Sequence, residues 1–237
     1  MKKYLITYGD ENYVSQLEFF KETAIASSFF DELRIFGPKD IGPEFADQVG
    51  ETLQVSKGGG FWLWKPYFIK RMLDELKDDD ILVYCDAGCI INGRGKERFD
   101  EYISLLISAE TGTLDFDVGL KEYEYTKQEI FDHFDSSESL INSNQLIATV
   151  LIFRKCTPAI KLVEEWVQTA CNHPLLFTDE LVMNHQYEGF IDARHDQSVF
   201  SVIRKTRGAN IIPDETYFLD FIRDGSRFPF WATRLKG

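Results

Sequence analysis

The stretch 78-DDDILVYCDAGCIIN-92 decides the fold class. Ile81 to Cys85 form an apolar run too short for a helix and without polar alternation, which reads as a strand buried on both faces of a parallel sheet. The run stops on Asp86, Ala87 and Gly88. A carboxylate just past the carboxyl end of a central strand can hold a hard cation against a diphosphate. It can equally open a turn whose glycine takes a positive φ. Both readings stand on the pattern alone. Asp78, Asp79 and Asp80 precede the strand, at the opposite rim, and read as a solvated turn.

The neighbouring segments repeat the theme of strand followed by helix. Residues 3-KYLITYGD-10 give a first strand halted by Gly9 and Asp10. Leu17, Phe20, Ala24 and Ile25 recur at helical spacing in the segment that follows. A short strand and a Gly/Pro loop come next, in 32-ELRIFGPKDIGP-43. In 58-GGGFWLWKPYFIKRMLDEL-76 three glycines precede a helix expected over about 65–77, with Pro66 in its first turn. Downstream, 98-RFDEYISLLISAE-110 reads as a helix and 145-QLIATVLIFRKC-156 as the longest strand. Thr157 and Pro158 open a further helix, and short helices are expected in 177-FTDELVMNHQ-186 and 196-DQSVFSVIRKTR-207. The pattern predicts an α/β fold with a Rossmann-like, mostly parallel mixed sheet and helices on both faces. A single domain over residues 1–237 is expected, with 206–237 as an aromatic-rich C-terminal wrap. In such sheets ligands sit outside the carboxyl ends of the strands, which places Thr7 to Asp10 and Asp86 to Gly88 at one rim.

Composition narrows the partners. The 237 residues are 44% hydrophobic and 14% aromatic, enough to fill a sizeable core. With 26 Lys and Arg against 39 Asp and Glu, the net charge is −13, so no basic field for nucleic acid exists and an anionic substrate needs local cations. No apolar run approaches the roughly 18 residues of a membrane span. The N-terminus lacks a signal-peptide core, and the chain is expected in the cytoplasm, with peripheral membrane association as an option. Cys85, Cys89, Cys156 and Cys171 are too few and too scattered for a disulfide framework and read as free thiols.

Several residues bear chemistry. In 58-GGGFWLWKP-66, Trp62 and Trp64 offer stacking faces or core anchors, and Lys65 offers a cation at a helix start. His195, Asp196 and Gln197 cluster at a helix N-terminus, where Asp196 can cap the helix or serve a reacting centre. Asp115 and Asp117 share a face of an extended segment and suit a cation or sugar hydroxyls, or a plain acidic loop. Phe228, Phe230 and Trp231, with Arg223, Arg227 and Arg234, offer aromatic faces and cations near the C-terminus, although closing the core is the simpler use of the aromatics.

Taken in order, the YLITYGD strand, the GGGFWLWKPYFI block, the YCDAGC strand end and the late HDQSVF resemble GT-A glycosyltransferases, notably capsule- and glycan-associated enzymes of bacteria and large algal viruses. The likeness spans residues 3–205. It implies a hexosyl- or deoxyhexosyltransferase for polysaccharide biosynthesis, which moves a sugar from a nucleotide-sugar donor, a UDP-sugar first, to a glycan or lipid-linked glycan. It implies donor contacts from Thr7, Tyr8, Gly9, Lys65, Asp86, Ala87 and Gly88. It also implies Mn²⁺ or Mg²⁺ on Asp86, with His195 as a further ligand, and Asp196 and Gln197 at the reacting centre. One departure stands out: Gly88 occupies the place of the second acidic residue of the family's Asp-X-Asp motif. Two alternatives follow. A sugar-nucleotide pyrophosphorylase wants a basic Gly-rich loop after the first strand, where 7-TYGDENYV-14 is acidic. A non-catalytic nucleotide- or glycan-binding protein with a degenerate metal site accommodates Gly88.

Overall fold

The computed structural model describes residues 1–182 and 185–235. Seven strands build the main sheet: β1 (Lys3–Tyr8), β2 (Glu32–Phe36), β3 (Ile81–Cys85), β4 (Thr113–Lys121), β5 (Asn144–Leu146), β6 (Val150–Arg154) and β7 (Ile211–Pro213). Their order is β2-β1-β3-β6-β4-β5, with β7 paired to β4. Parallel pairing joins β1 to β2 and β3, and β7 to β4. Antiparallel pairing runs through β3, β6, β4 and β5. The expected mixed sheet is therefore present, and β3 lies between a parallel and an antiparallel neighbour.

That central place explains the unbroken apolar run. Leu82 and Tyr84 face one helix layer while Ile81, Val83 and Cys85 face the other, so all five are buried. The first layer holds α2 (Trp64–Glu75), α4 (Thr157–Asn172) and α5 (His195–Arg207), which bring Phe68, Met72, Trp166 and Phe200 to the sheet. The second holds α1 (Val14–Ser27) and α3 (Lys96–Ser108), with Phe20, Phe99 and Leu106. Each such side chain contributes about 1.5–3 kcal/mol by leaving water. Among the described residues, no helix is long and apolar enough to cross a membrane.

Three expectations are corrected. The 145–156 stretch is not one strand; it breaks at residues 147–149, and the longest strand is β4 with nine residues. Arg204 donates to the carbonyls of Leu146 at 3.2 Å and Ile147 at 2.7 Å, and Gln197 Oε1 accepts from the Ala148 amide at 3.1 Å. Side chains thus satisfy backbone groups that a continuous ladder would have used. The helix expected over 177–186 does not form: Phe177 ends a single 3-10 turn, Pro174–Phe177, no helix follows in the described residues, and residues 183–184 lie outside them. There the Lys127 ammonium, fully buried, gathers the carbonyls of Leu175, Thr178 and Glu180 at 2.7–3.1 Å. Nor is the aspartate run wholly solvated: Asp80 is buried and accepts from the Lys2 amide at 2.6 Å and the Lys77 amide at 3.2 Å.

The C-terminal segment wraps the second layer. Phe230 is fully buried against Phe99 and Tyr102, and Phe230–Trp231 pairs with Ile90–Ile91 as a small antiparallel ribbon. Phe228 is buried too, so these two phenylalanines belong to the core. Lys236 and Gly237, the end of the expected wrap, lie outside the described residues.

Candidate active site

The carboxyl ends of β1 and β3, the 147–149 turn, the start of α2, the start of α5 and the last described residues enclose a cavity of about 640 Å³. Of the ten residues that the resemblance assigns to donor binding, metal and the reacting centre, nine line it: Tyr8 and Gly9 at the end of β1, Lys65 from α2, Asp86 to Gly88 after β3, and His195 to Gln197 from α5. Thr7 does not. It follows Leu5 to the opposite face of β1, with 1% of its surface exposed, whereas Tyr8 faces the cavity side.

The glycine block sets the entrance to α2. Gly58, Gly59 and Gly60 all have positive φ, and a Cβ on Gly60 would stand 2.7 Å from the Leu53 Cα. This turn lays Trp64 flat on Tyr8, with ring centroids 3.7 Å apart, and Trp64 Nε1 donates to the Gly58 carbonyl at 3.0 Å. Trp64 is a core anchor; Trp62 is half-buried and stacks on His195 at 5.3 Å.

One step further along α2, Lys65 forms the hub. Its Nζ is 2.6 Å from Asp196 Oδ2 and 3.3 Å from Asp86 Oδ1, and it donates to the Ala148 carbonyl at 3.1 Å. The Tyr84 hydroxyl, two residues before Asp86 and on the same side of the strand, donates to Asp86 Oδ1 at 2.6 Å. Burial works against the charge on Lys65, but Asp196 and Asp86 outweigh it and its pKa is raised. Burial pushes Asp196 up to about 6 despite Lys65. Burial and then Asp86 push the Tyr84 phenol up, so it remains a donor.

Asp196 does not cap α5, since its carboxylate turns to Lys65 while Ser198 accepts from the Arg194 amide at 2.9 Å. Gln197 lines the cavity, yet its amide is engaged behind it, accepting from Ala148 and donating to Gln145 Oε1 at 2.6 Å. Gln145 extends the network to Glu122 and Thr126. Gln197 therefore braces the 147–149 turn rather than presenting its amide to a ligand.

The residues present do not fit a divalent cation. Asp86 Oδ1 already serves Lys65 and Tyr84. His195 Nδ1 pairs with the Phe177 carbonyl at 2.8 Å, and its Nε2 faces Asp179, which Lys57 holds at 2.7 Å. At Gly88 a Cβ would stand 3.2 Å from the backbone N and O of Leu235, so a carboxylate side chain there requires that backbone to give way by a few tenths of an ångström. Among the described residues, no three His, Cys, Asp or Glu side chains gather where they could hold a metal ion.

Other sequence candidates serve the scaffold. Asp115 is buried in an ion pair with Arg204 at 2.9 Å, and Asp117 receives the Gly119 amide and Asn144. Cys85 and Cys89 are buried thiols. Sequence reasoning missed Tyr84, Ala148 and Arg194. The first was accessible, because residues 84 and 86 share a face of an extended chain; Ala148 and Arg194 carry no local signal.

No protein-family model matches the sequence, and no curated protein matches it. Among solved structures, the chain is similar to a glycosyltransferase involved in the glycosylation of the major capsid of PBCV-1. The identity is 10%, 98% of this chain and 92% of that chain are covered, and the TM-score is 0.51. It also aligns with the glycosyltransferase GlyE of Streptococcus pneumoniae TIGR4, at 13% identity over 91% of this chain and 46% of that one, TM-score 0.45. A third match is the galactosyltransferase LgtC, at 13% identity over 96% and 86%, TM-score 0.44. The first of these, with the sheet described above, gives the chain the GT-A fold expected from its sequence.

Proposed function

We propose that this protein is a glycosyltransferase that moves a sugar from a nucleotide-sugar donor, a UDP-sugar first among them, to a hydroxyl of a glycan or glycoconjugate. One observation carries the reading: nine residues from four segments far apart in sequence converge on one cavity at the carboxyl rim of the sheet, around a buried Lys65 held between Asp86 and Asp196. Open α/β sheets receive their ligands at this rim.

The chemistry asked of the site is modest. The acceptor oxygen bonds to the anomeric carbon as the bond from that carbon to the diphosphate oxygen breaks. The electron pair of the broken bond leaves with the nucleoside diphosphate, and the acceptor proton is released. Tyr8 and Gly9 receive the nucleoside, and Asp86 and Asp196, fixed by Lys65, face the donor sugar. Fixed dipoles and charges of this kind lower a barrier because they need no reorganisation during the reaction.

A panel of UDP-, GDP-, TDP- and CMP-sugars with mixed glycan acceptors tests the proposal by released nucleotide and by product mass. Transfer from one donor, lost in Asp86→Ala with the fold intact by circular dichroism, is expected. Full transfer by that variant would remove Asp86 from the site, and absence of transfer from every donor would remove the enzyme reading. The non-catalytic alternative draws on the crowded Gly88 and predicts saturable nucleotide binding without release.

A further inference from the structure

We propose that Arg234, with Arg194, provides the positive charge that holds the diphosphate of the donor, a role independent of a divalent cation; this rests on the nucleotide-sugar reading of the cavity. Among the described residues, three Lys or Arg residues line the cavity: Lys65, Arg194 and Arg234. Lys65 is committed to two carboxylates. Arg194 and Arg234 have no ion-pair partner among the described residues. Instead, the Arg194 guanidinium lies 4.3 Å from the Tyr125 ring centroid, and that of Arg234 5.5 Å from the Tyr217 ring. The chain carries 39 acidic residues and a net charge of −13, yet neither arginine has an acidic side chain within ion-pair distance among the described residues. Their like charges repel each other across the opening, and an anion placed between them relieves that cost. Guanidinium groups match phosphate oxygens in a two-pronged geometry that ammonium groups cannot offer.

The backbone shows how Arg234 is delivered. Thr233 Oγ1 donates to the Gly88 carbonyl at 2.8 Å, and the Leu235 amide donates to the same oxygen at 3.3 Å. Arg234, between these two ties, adopts a left-handed φ of 53°, which non-glycine residues seldom take. A Cβ on Gly88 would meet the Arg234 Cα at 3.4 Å as well as the Leu235 backbone. Hence the glycine that deletes a second carboxylate also makes the seat on which the arginine-bearing segment rests. Loss of one metal ligand and gain of a fixed cation are two results of one residue.

The test measures binding of UDP, GDP, TDP and inorganic pyrophosphate to the full chain by calorimetry, once in EDTA and once in Mn²⁺. Wild type, Arg234→Ala, Arg234→Lys and Arg194→Ala are compared. Support is a nucleoside diphosphate that binds equally in both buffers, with at least a tenfold weakening in Arg234→Ala, partial recovery in Arg234→Lys and unchanged melting of the free proteins. Binding that requires Mn²⁺ and ignores Arg234→Ala overturns the arginine role while keeping the donor reading. Absence of nucleotide binding in either buffer overturns both.

Discussion

Lys65 is the residue on which most else depends. A buried ammonium is tolerated only when its neighbours repay the water it has lost, and here two carboxylates and a carbonyl do so. Truncating one partner of such a set leaves a buried charge unpaired. Lys65→Met is therefore expected to cost about 3–5 kcal/mol in urea unfolding, and Asp86→Asn much less, because Asp86 is 34% exposed and water screens it. Equal losses for the two variants would refute the hub. His195 gives a pH prediction. Burial, together with the Lys57 charge, holds its pKa below the ordinary histidine value, so between the folded and unfolded pKa values the unfolded chain binds more protons. Its contribution is full above about pH 6.5 and is lost as pH falls. His195→Asn, which tolerates the left-handed φ of 49° at this position, should flatten the fall in melting temperature between pH 6.5 and 5. At this scale the sequence disclosed Lys65 and Asp86 through residue type and place on the rim. It did not disclose that Asp196 prefers Lys65 to its own helix end, because that choice is made by an element 131 residues away in sequence.

Among the elements, the turn over residues 58–60 is tightly constrained. Three consecutive left-handed glycines let α2 begin with Trp64 pressed on Tyr8. Gly60→Ala meets both a positive φ of 94° and the Leu53 backbone, and is expected to destabilise by about 1–3 kcal/mol, read by thermal unfolding. The same variant should weaken nucleotide affinity if the tilt of Trp64 shapes the cavity floor. Strands β1 and β3 and the long helices were legible because apolar periodicity reports directly on two buried faces. The break between β5 and β6 was not. Apolar residues continue across it, and what separates the strands is the reach of Arg204 and Gln197 from α5. Likewise the absent helix near residue 180 gave way to Lys127, whose buried ammonium needs carbonyls more than the local chain needs a helix.

For the whole molecule, the sheet serves as a floor with the cavity at its carboxyl rim. Both helix layers pack on it, and the C-terminal segment crosses from the second layer, through Phe230 between Phe99 and Tyr102, back to the rim at Gly88. This path predicts that a ligand in the cavity is coupled to the packing of the far face. A nucleotide at a hundred times its dissociation constant should add about 2.7 kcal/mol and raise the melting midpoint by several degrees. Phe230→Ala should cost about 3–5 kcal/mol from the core and also weaken nucleotide binding beyond what that loss explains, as titration of the still-folded fraction would reveal. Unaltered affinity in that fraction would uncouple the two.

The contact at Gly88 also sets an asymmetry in mutational tolerance. What presses on this glycine is main chain, the N and O of Leu235 and the Cα of Arg234, and not any particular side chain. Every replacement at position 88 must shift that main chain, whereas the identity of the side chain at 235 is scarcely consulted. In a saturation library, position 88 would be narrow and position 235 broad, although the two touch. Variation would then accumulate on one side of the contact only, and an aligned pair of such sequences would show a fixed glycine facing a drifting side chain at position 235.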